Sequence, residues 1–246
     1  MKVIKLGGSV ITDKENYRRL RRKLIGRLCD AISSDSEEKI LIHGAGSFGH
    51  IMALRYGLER PGSISGKETG VSRVISDVLL LDSAVVDELT ERGVKAVPVP
   101  PHAIYGEGGL DLRIVDSLVR RKFVPVLFGD VVIKGSKYRI LSGDEIALDL
   151  SKRFHPESVV FVTDVDGIYD SDPKENKGAT FFPSISSGEM TLIDGGKDAT
   201  GSMAGKMERI KKIVHYTDRV VILNGTRPER LRKFLEGKQV KSTVIT

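Results

Sequence analysis

Apolar and polar positions along the chain follow two alternating rhythms. Short, nearly unbroken apolar runs occur at 3–6, 40–42, 96–99, 124–128, 158–162, 220–223 and 243–245, each the length of a buried strand. Between them apolar residues recur every three or four positions. Leu20, Leu24, Leu28 and Ile32 predict a helix over 17–32, and Val74, Val78, Leu81, Val85 and Leu89 predict one over 71–92, closed by Gly93. Further helices are expected over 111–122, from Ser142-Gly143-Asp144 through Arg153, up to Val214, and over 228–235. Ser142 with Glu145 three positions on has the form of a capping box. Residues 131–133 and 138–141 read as a hairpin, and the Gly/Ser/Pro-rich stretch 57–70 as a loop. Strands alternating with helices define an α/β fold, a three-layer αβα sandwich around a largely parallel central sheet. No repeat or linker divides residues 1–246, so a single domain is expected.

Composition narrows the setting. The chain has 246 residues, 40% hydrophobic and 29% charged, with no membrane-length apolar run and no signal-peptide core. Its single cysteine, Cys29, forms no internal disulfide and belongs to no metal cluster, so no protein-bound metal is expected. These features predict a cytoplasmic protein. A net charge of +6 suits either nucleic acid or phosphorylated small molecules. Arg18, Arg19, Arg21, Arg22 and Lys23 cluster on a predicted helix and read as a solvated face. Aromatic residues make up only 6%, with no Trp, which argues against stacking on single strands and against a nucleic-acid partner.

Several strand ends carry chemistry. Ile40 to Ile42 lead into His43-Gly44-Ala45-Gly46-Ser47-Phe48-Gly49-His50. The glycines let an anion approach the backbone, and a helix beginning near Ser47 would point free N–H groups at it, with His50 one turn in. A tight turn carrying a surface histidine accounts for the same residues. Lys5 precedes Gly7-Gly8-Ser9, and Lys14 follows Thr12-Asp13, which places two cations beside a second glycine turn. Asp144 either complements a helix dipole or orients lysines around a phosphate. Thr163-Asp164-Val165-Asp166-Gly167-Ile168-Tyr169 follows a strand, where open α/β sheets bind ligands, and it lacks the closing Glu of a Ca²⁺ loop. The 198–206 segment, ending Gly205-Lys206, departs from a P-loop: three residues separate Gly201 from Gly205, and Met207 replaces the Mg²⁺-binding hydroxyl. Ile75, Leu79, Leu80 and Val86 exceed the core stripe of their helix and are either buried on a second side or walls of an apolar pocket.

Residues 5–14, 43–50, 128–131, 142–144, 163–169 and 205–206 together closely resemble the amino acid kinase (carbamate kinase-like) superfamily and, within it, the isopentenyl phosphate kinases. The resemblance spans nearly the whole chain. The Gly-Gly-Ser turn marks only the superfamily, whereas His50 suits an acceptor that is itself a phosphate or phosphonate. Ser202 departs from the family, which has a second glycine there. The resemblance implies in-line transfer from ATP, with Mg²⁺, to isopentenyl phosphate, the acceptor held by the N-terminal part and the nucleotide by the C-terminal part. Lys5, Lys14 and Lys206 would neutralise the donor phosphates, and Asp144 would position lysines. Gly8, Ser9 and Gly46 would donate N–H groups to the moving phosphoryl, with Gly7 completing the turn. Ala45, His50 and Gly143 would hold the acceptor phosphate, and Gly46 would border it. Ile75 and Leu79 would line its tail. Thr163, Asp164, Tyr169 and Gly205 would border the nucleotide. The superfamily also implies a homodimer.

Three rivals remain. A sister kinase acting on a phosphonate such as fosfomycin would keep the histidine. A dinucleotide-binding oxidoreductase would use 44–49 as G-x-G-x-x-G, but the acidic residue ending the next strand is missing. A basic nucleic-acid-binding module is disfavoured by the low aromatic content.

Overall fold

The computed structural model describes residues 1–186, 188, 189 and 201–246, with the backbone alone at 201–204. Its centre is an eight-stranded sheet of β1 (Lys2–Leu6), β2 (Lys39–His43), β3 (Ala96–Pro98), β4 (Val124–Phe128), β5 (Ser158–Thr163), β6 (Ser184–Ile185), β7 (Arg219–Asn224) and β8 (Ser242–Ile245). The spatial order is β6-β8-β7-β5-β1-β2-β4-β3. Six neighbouring strands run parallel; β8 is antiparallel to β7 and parallel to β6, so the sheet is largely parallel as expected. The helices are α1 (Gly8–Ile11), α2 (Arg22–Ser33), α3 (Gly46–Arg55), α4 (Glu68–Thr90), α5 (Pro101–Ile104), α6 (Arg113–Arg120), α7 (Gly143–Phe154), α8 (Gly201–Ile213) and α9 (Pro228–Leu235).

The period of two in each strand divides the core. Val3, Ile40, Ile42, Leu127, Val159 and Phe161 face one way and pack against α6, α7 and α8 through Val115, Ile146, Leu150 and Ile210. Ile4, Leu6, Leu41, Val160, Val162 and Val221 face the other way, against Leu28 and Ile32 of α2, Leu81 and Val85 of α4, and Leu231 of α9. Helices thus cover both faces of the sheet. A third cluster, of Met52, Val71, Val74, Val78, Phe128, Val131 and Tyr138, joins α3 and α4 to the hairpin Asp130–Lys134 with Lys137–Leu141.

Three sequence expectations change. The helix expected over 17–32 begins only at Arg22, because Arg18 adopts a left-handed φ of 55° and Leu20 bridges to Thr12. The basic cluster is therefore not one helical face: Arg18 turns inward to Asp77, whereas Arg19 lies 3.9 Å from Asp13. The stretch 57–70 is not all loop, since Gly62–Ser63 pairs with Lys137 and Tyr138 and α4 already starts at Glu68. The capping box of Ser142 and Glu145 is present as read.

Candidate active site

Parallel register brings Leu6, His43, Phe128 and Val162 to one edge of the sheet, and the loops that follow them meet there. Two glycine turns pack backbone against backbone. A Cβ on Gly8 would lie 2.5 Å from the Gly46 nitrogen, and one on Gly44 would lie 2.6 Å from the Gly8 nitrogen. Any side chain at either position would force the turns apart. Thr12 fastens the pair: its hydroxyl donates to the Gly8 carbonyl at 2.8 Å and accepts from the Ser47 N–H at 3.0 Å. Three short helix starts, at Gly8-Ser9, Gly46 and Gly143-Asp144, thus converge with their first N–H groups lacking intrahelical acceptors. Gly129 sits between two of these loops, with its Cβ position 3.5 Å from the nitrogens of both Ala45 and Gly143.

The charges gather over this cradle. Lys5, buried at the end of β1, runs past Gly143 and donates to Asp144 in the first turn of α7. Burial alone would raise the Asp144 carboxyl, but Lys5 and then Lys206 outweigh it and hold it below the usual carboxylate range. Lys206, in the second turn of α8, feels the same group: burial and Lys5 lower its amine, while Asp144 and Asp164 work against that. Lys14 reaches across to Asp164 at 3.2 Å, and Lys174 meets the same carboxylate at 2.6 Å. Desolvation raises the Asp164 carboxyl, yet these two lysines hold it far below its ordinary value. His50 stands in the first turns of α3. Its ring is exposed at the surface, and the surrounding protein, with Lys5 and Lys14, lowers its pKa; an N–H of the ring is available to donate to an anion. Lys5, Lys14, Lys206, His50 and Asp144 are thus brought within one electrostatic neighbourhood.

The C-terminal side is a loop held by ion pairs. Thr163 ends β5, its hydroxyl donating to the Val165 carbonyl at 3.0 Å. Tyr169 stacks at a tilt on Phe181, ring centres 5.3 Å apart. Gly205 lies one residue before Lys206, its carbonyl accepting from Arg209 at 2.8 Å. Residues 198–200 of the glycine-containing segment lie outside the described residues, as does the side chain of Ser202.

Ile75 and Leu79 are half-buried and line a groove of about 550 Å³ with Ile64, Val71, Leu80 and Ile133. They also pack against the cluster of Met52, Val74 and Phe128 that backs α3. The phosphate-side residues His50, Gly46 and Gly143 do not line that groove. Leu80 is 50% exposed at its rim, and Leu54, which follows His50 in sequence, is 68% exposed and does not line that groove.

The roles of three groups near the site, buried His43 and Asp77 and partly buried Asp166, escaped the sequence reading. His43 places Nε2 3.2 Å from Asp82 and stacks on Phe128, bracing the first glycine of its loop from behind. Asp77 of α4 gathers Tyr17, Arg18 and Arg73. Asp166 accepts from Asn224 at 2.8 Å, Arg230 at 2.6 Å and Lys241 at 2.9 Å, and these partners overcome burial to hold its carboxyl at about 2. Asp77 and Asp82 occupy what reads as the polar side of a long helix, and apart from Arg73 one turn from Asp77 their partners lie 39 residues or more away in sequence, so local pattern does not mark their role.

Comparison with known proteins converges on one group. The pattern of the amino acid kinase family matches residues 1–224. The isopentenyl phosphate kinase of Thermoplasma acidophilum is 37% identical over 94% of this chain and 94% of its own length. That of Methanothermobacter thermautotrophicus is 33% identical over 100% of this chain and 99% of its own. A crystal structure of an isopentenyl phosphate kinase substrate complex superposes with a TM-score of 0.88 at 36% identity, covering 100% of both chains. A UMP kinase from Ureaplasma parvum, at 18% identity and a TM-score of 0.65, shares the fold.

Proposed function

The chain belongs to the amino acid kinase family, and we propose that it transfers the γ-phosphoryl group of ATP, bound as its Mg²⁺ complex, to isopentenyl phosphate, giving isopentenyl diphosphate and ADP. The carrying observation is His50 in the second turn of α3, the helix whose first residue, Gly46, interlocks with the Gly8 turn that follows Lys5. That arrangement offers places for two phosphate groups side by side. Relatives of the same name at 37% and 33% identity support the acceptor.

An acceptor phosphate oxygen attacks the γ-phosphorus, the bond to the β,γ-bridging oxygen breaks, and ADP leaves with that electron pair. A phosphate monoester has its second pKa near 6, so the attacking oxygen is already ionised and no general base is required. Positioning and charge neutralisation then supply the rate. Lys5, Lys14 and Lys206 offset charge on the donor phosphates, and Asp144 sets the direction of Lys5. Gly7 and Gly8 bring the Gly8 and Ser9 N–H groups, with that of Gly46, to the moving phosphoryl. Ala45, His50 and Gly143 hold the acceptor phosphate. Thr163, Asp164, Tyr169 and Gly205 border the nucleotide, so residues 1–246 act as one domain with acceptor and donor halves. The acceptor tail runs along α4, with Ile75 and Leu79 at its far wall. Leu80 and Ile133, the exposed apolar lining of that groove, support a homodimer, and water-soluble substrates suit the cytoplasm.

The test measures ADP release with isopentenyl phosphate, dimethylallyl phosphate, fosfomycin and uridylate. Fastest turnover of isopentenyl phosphate is expected, and far faster turnover of fosfomycin would overturn the assignment.

A further inference from the structure

Among the three lysines of the site, Lys14 is held differently. Lys5 and Lys206 project from regular elements, whereas Lys14 sits on the excursion between α1 and α2 with its side chain 60% exposed. An exposed lysine loses much conformational freedom when fixed on a phosphate, so its accuracy depends on how firmly its loop is held. The loop closes on itself through the Thr12–Leu20 bridge, the Asp13 N–H to Arg19 carbonyl bond and the Arg21 N–H to Ile11 carbonyl bond, each 2.9 Å where a backbone bond is measured. These bonds give the loop a shape without fixing it to the acceptor half.

The Thr12–Ser47 bond ties the base of the loop to α3, and the attachment of its far side, at Tyr17 and Arg18, centres on one carboxylate. Asp77, fully buried on α4, accepts from the Tyr17 hydroxyl and from Arg18, and pairs with Arg73 one turn earlier at 3.1 Å. Arg73 also donates to the Tyr17 oxygen at 2.8 and 3.0 Å and lies over its ring. Arg18 pairs with Asp77 from a left-handed backbone, φ 55°, a conformation that a non-glycine residue keeps where surrounding contacts impose it. A buried carboxylate with three cationic or hydroxyl partners is costly to leave unpaired, so the arrangement is stiff.

We propose that Asp77 is a positioning residue that fastens the Lys14 loop to α4, setting the Lys14 amine against the transferring phosphoryl. This rests on the role given to Lys14 under the proposed function. It predicts that disturbing Asp77 costs turnover through Lys14 alone.

The experiment measures kcat and both KM values for Asp77→Asn and Tyr17→Phe, each made in wild type and in Lys14→Met, with thermal midpoints for all. In wild type Asp77→Asn should lower kcat about tenfold, a coupling within the range seen for residues sharing a network, with the KM for ATP nearly unchanged. Tyr17→Phe, which keeps the carboxylate and both arginines, should fold normally and lower kcat by a smaller factor. In the Lys14→Met background neither substitution should lower kcat further. Equal losses in both backgrounds, or a fall in thermal midpoint with kcat intact, would overturn the proposal while leaving Lys14's role standing. Undiminished turnover in Lys14→Met alone would remove that role and the proposal with it. Should Asp77→Asn not fold, the Tyr17→Phe pair decides by the same rule.

Discussion

The acceptor side and the nucleotide side of the site are built on different principles. Around α3 the chain touches itself backbone to backbone, with glycine positions 2.5–2.6 Å from neighbouring nitrogens once a Cβ is imagined there. Around the 163–169 loop the positions are set by carboxylates: Asp164 between two lysines, and Asp166 among Asn224, Arg230 and Lys241. Close backbone packing fixes atoms to a fraction of an ångström and tolerates no added atom. Ion pairs on half-exposed side chains yield and re-form more readily. The contrast suits the proposed chemistry, in which the acceptor phosphate must be aligned for attack while a nucleotide must enter and leave each cycle.

The sharpest way to break the contrast is to remove a charge both sides share. Lys206→Met should lower kcat by about 100–1000-fold, the scale of losing one preorganised electrostatic partner, and weaken ATP binding as well. A loss confined to acceptor kinetics would place Lys206 on one side only. Next, Gly46→Ala should destabilise by about 1–3 kcal/mol, because φ is +49° and the new methyl would lie 2.2 Å from the Thr12 hydroxyl. Its kinetic defect should fall on the acceptor, and a purely ATP-side defect would contradict the division. His50→Ala should lose roughly 1.5–3 kcal/mol of transition-state binding, about 10–150-fold in kcat/KM for the acceptor, with an unchanged thermal midpoint. On the other side, Asp166→Asn should raise the KM for ATP severalfold and leave that of the acceptor alone.

The smallest effect tests Asp130, which follows the Gly129 turn between the Ala45 and Gly143 loops. His102 donates its backbone N–H to buried Asp130 at 3.0 Å and sets its ring 2.7 Å from the same oxygen, just after Gly129. The hydrogen bond to Asp130 raises the His102 pKa above 6.5 against the pull of burial. A raised folded-state value means the stabilisation is complete below the unfolded value and lost as pH climbs through the folded one. Wild type should therefore lose slightly more stability than His102→Gln between pH 5.5 and 8.5 in denaturant titrations. Equal pH slopes would show that the pair does not brace the turn.

The parts legible from sequence are those that local patterns encode. Buried strands declare themselves because both faces of a parallel sheet are covered, and the Ser142–Glu145 cap is written three residues apart. What failed is tertiary. The start of α2 depends on Arg18 turning back to a carboxylate 59 residues away, and Gly62–Ser63 is a strand only because Lys137–Leu141 lies beside it. Lys5 and Asp144 could be singled out, but their contact across 139 residues could not be derived from periodicity.

One feature of the sheet governs how the molecule comes together. β1 lies between β2 and β5, with Lys2 opposite both Lys39 and Ser158. The first pairing closes a short loop and the second a very long one, so the acceptor half can organise early while β1 keeps an open edge. That edge is sealed only when the 158–163 segment arrives. Long-range parallel pairing is slow and exposes strand edges in the meantime. Folding of this enzyme should therefore be limited by the β1–β5 encounter, with catalytic competence emerging in that last step and aggregation competing for the unsealed strand.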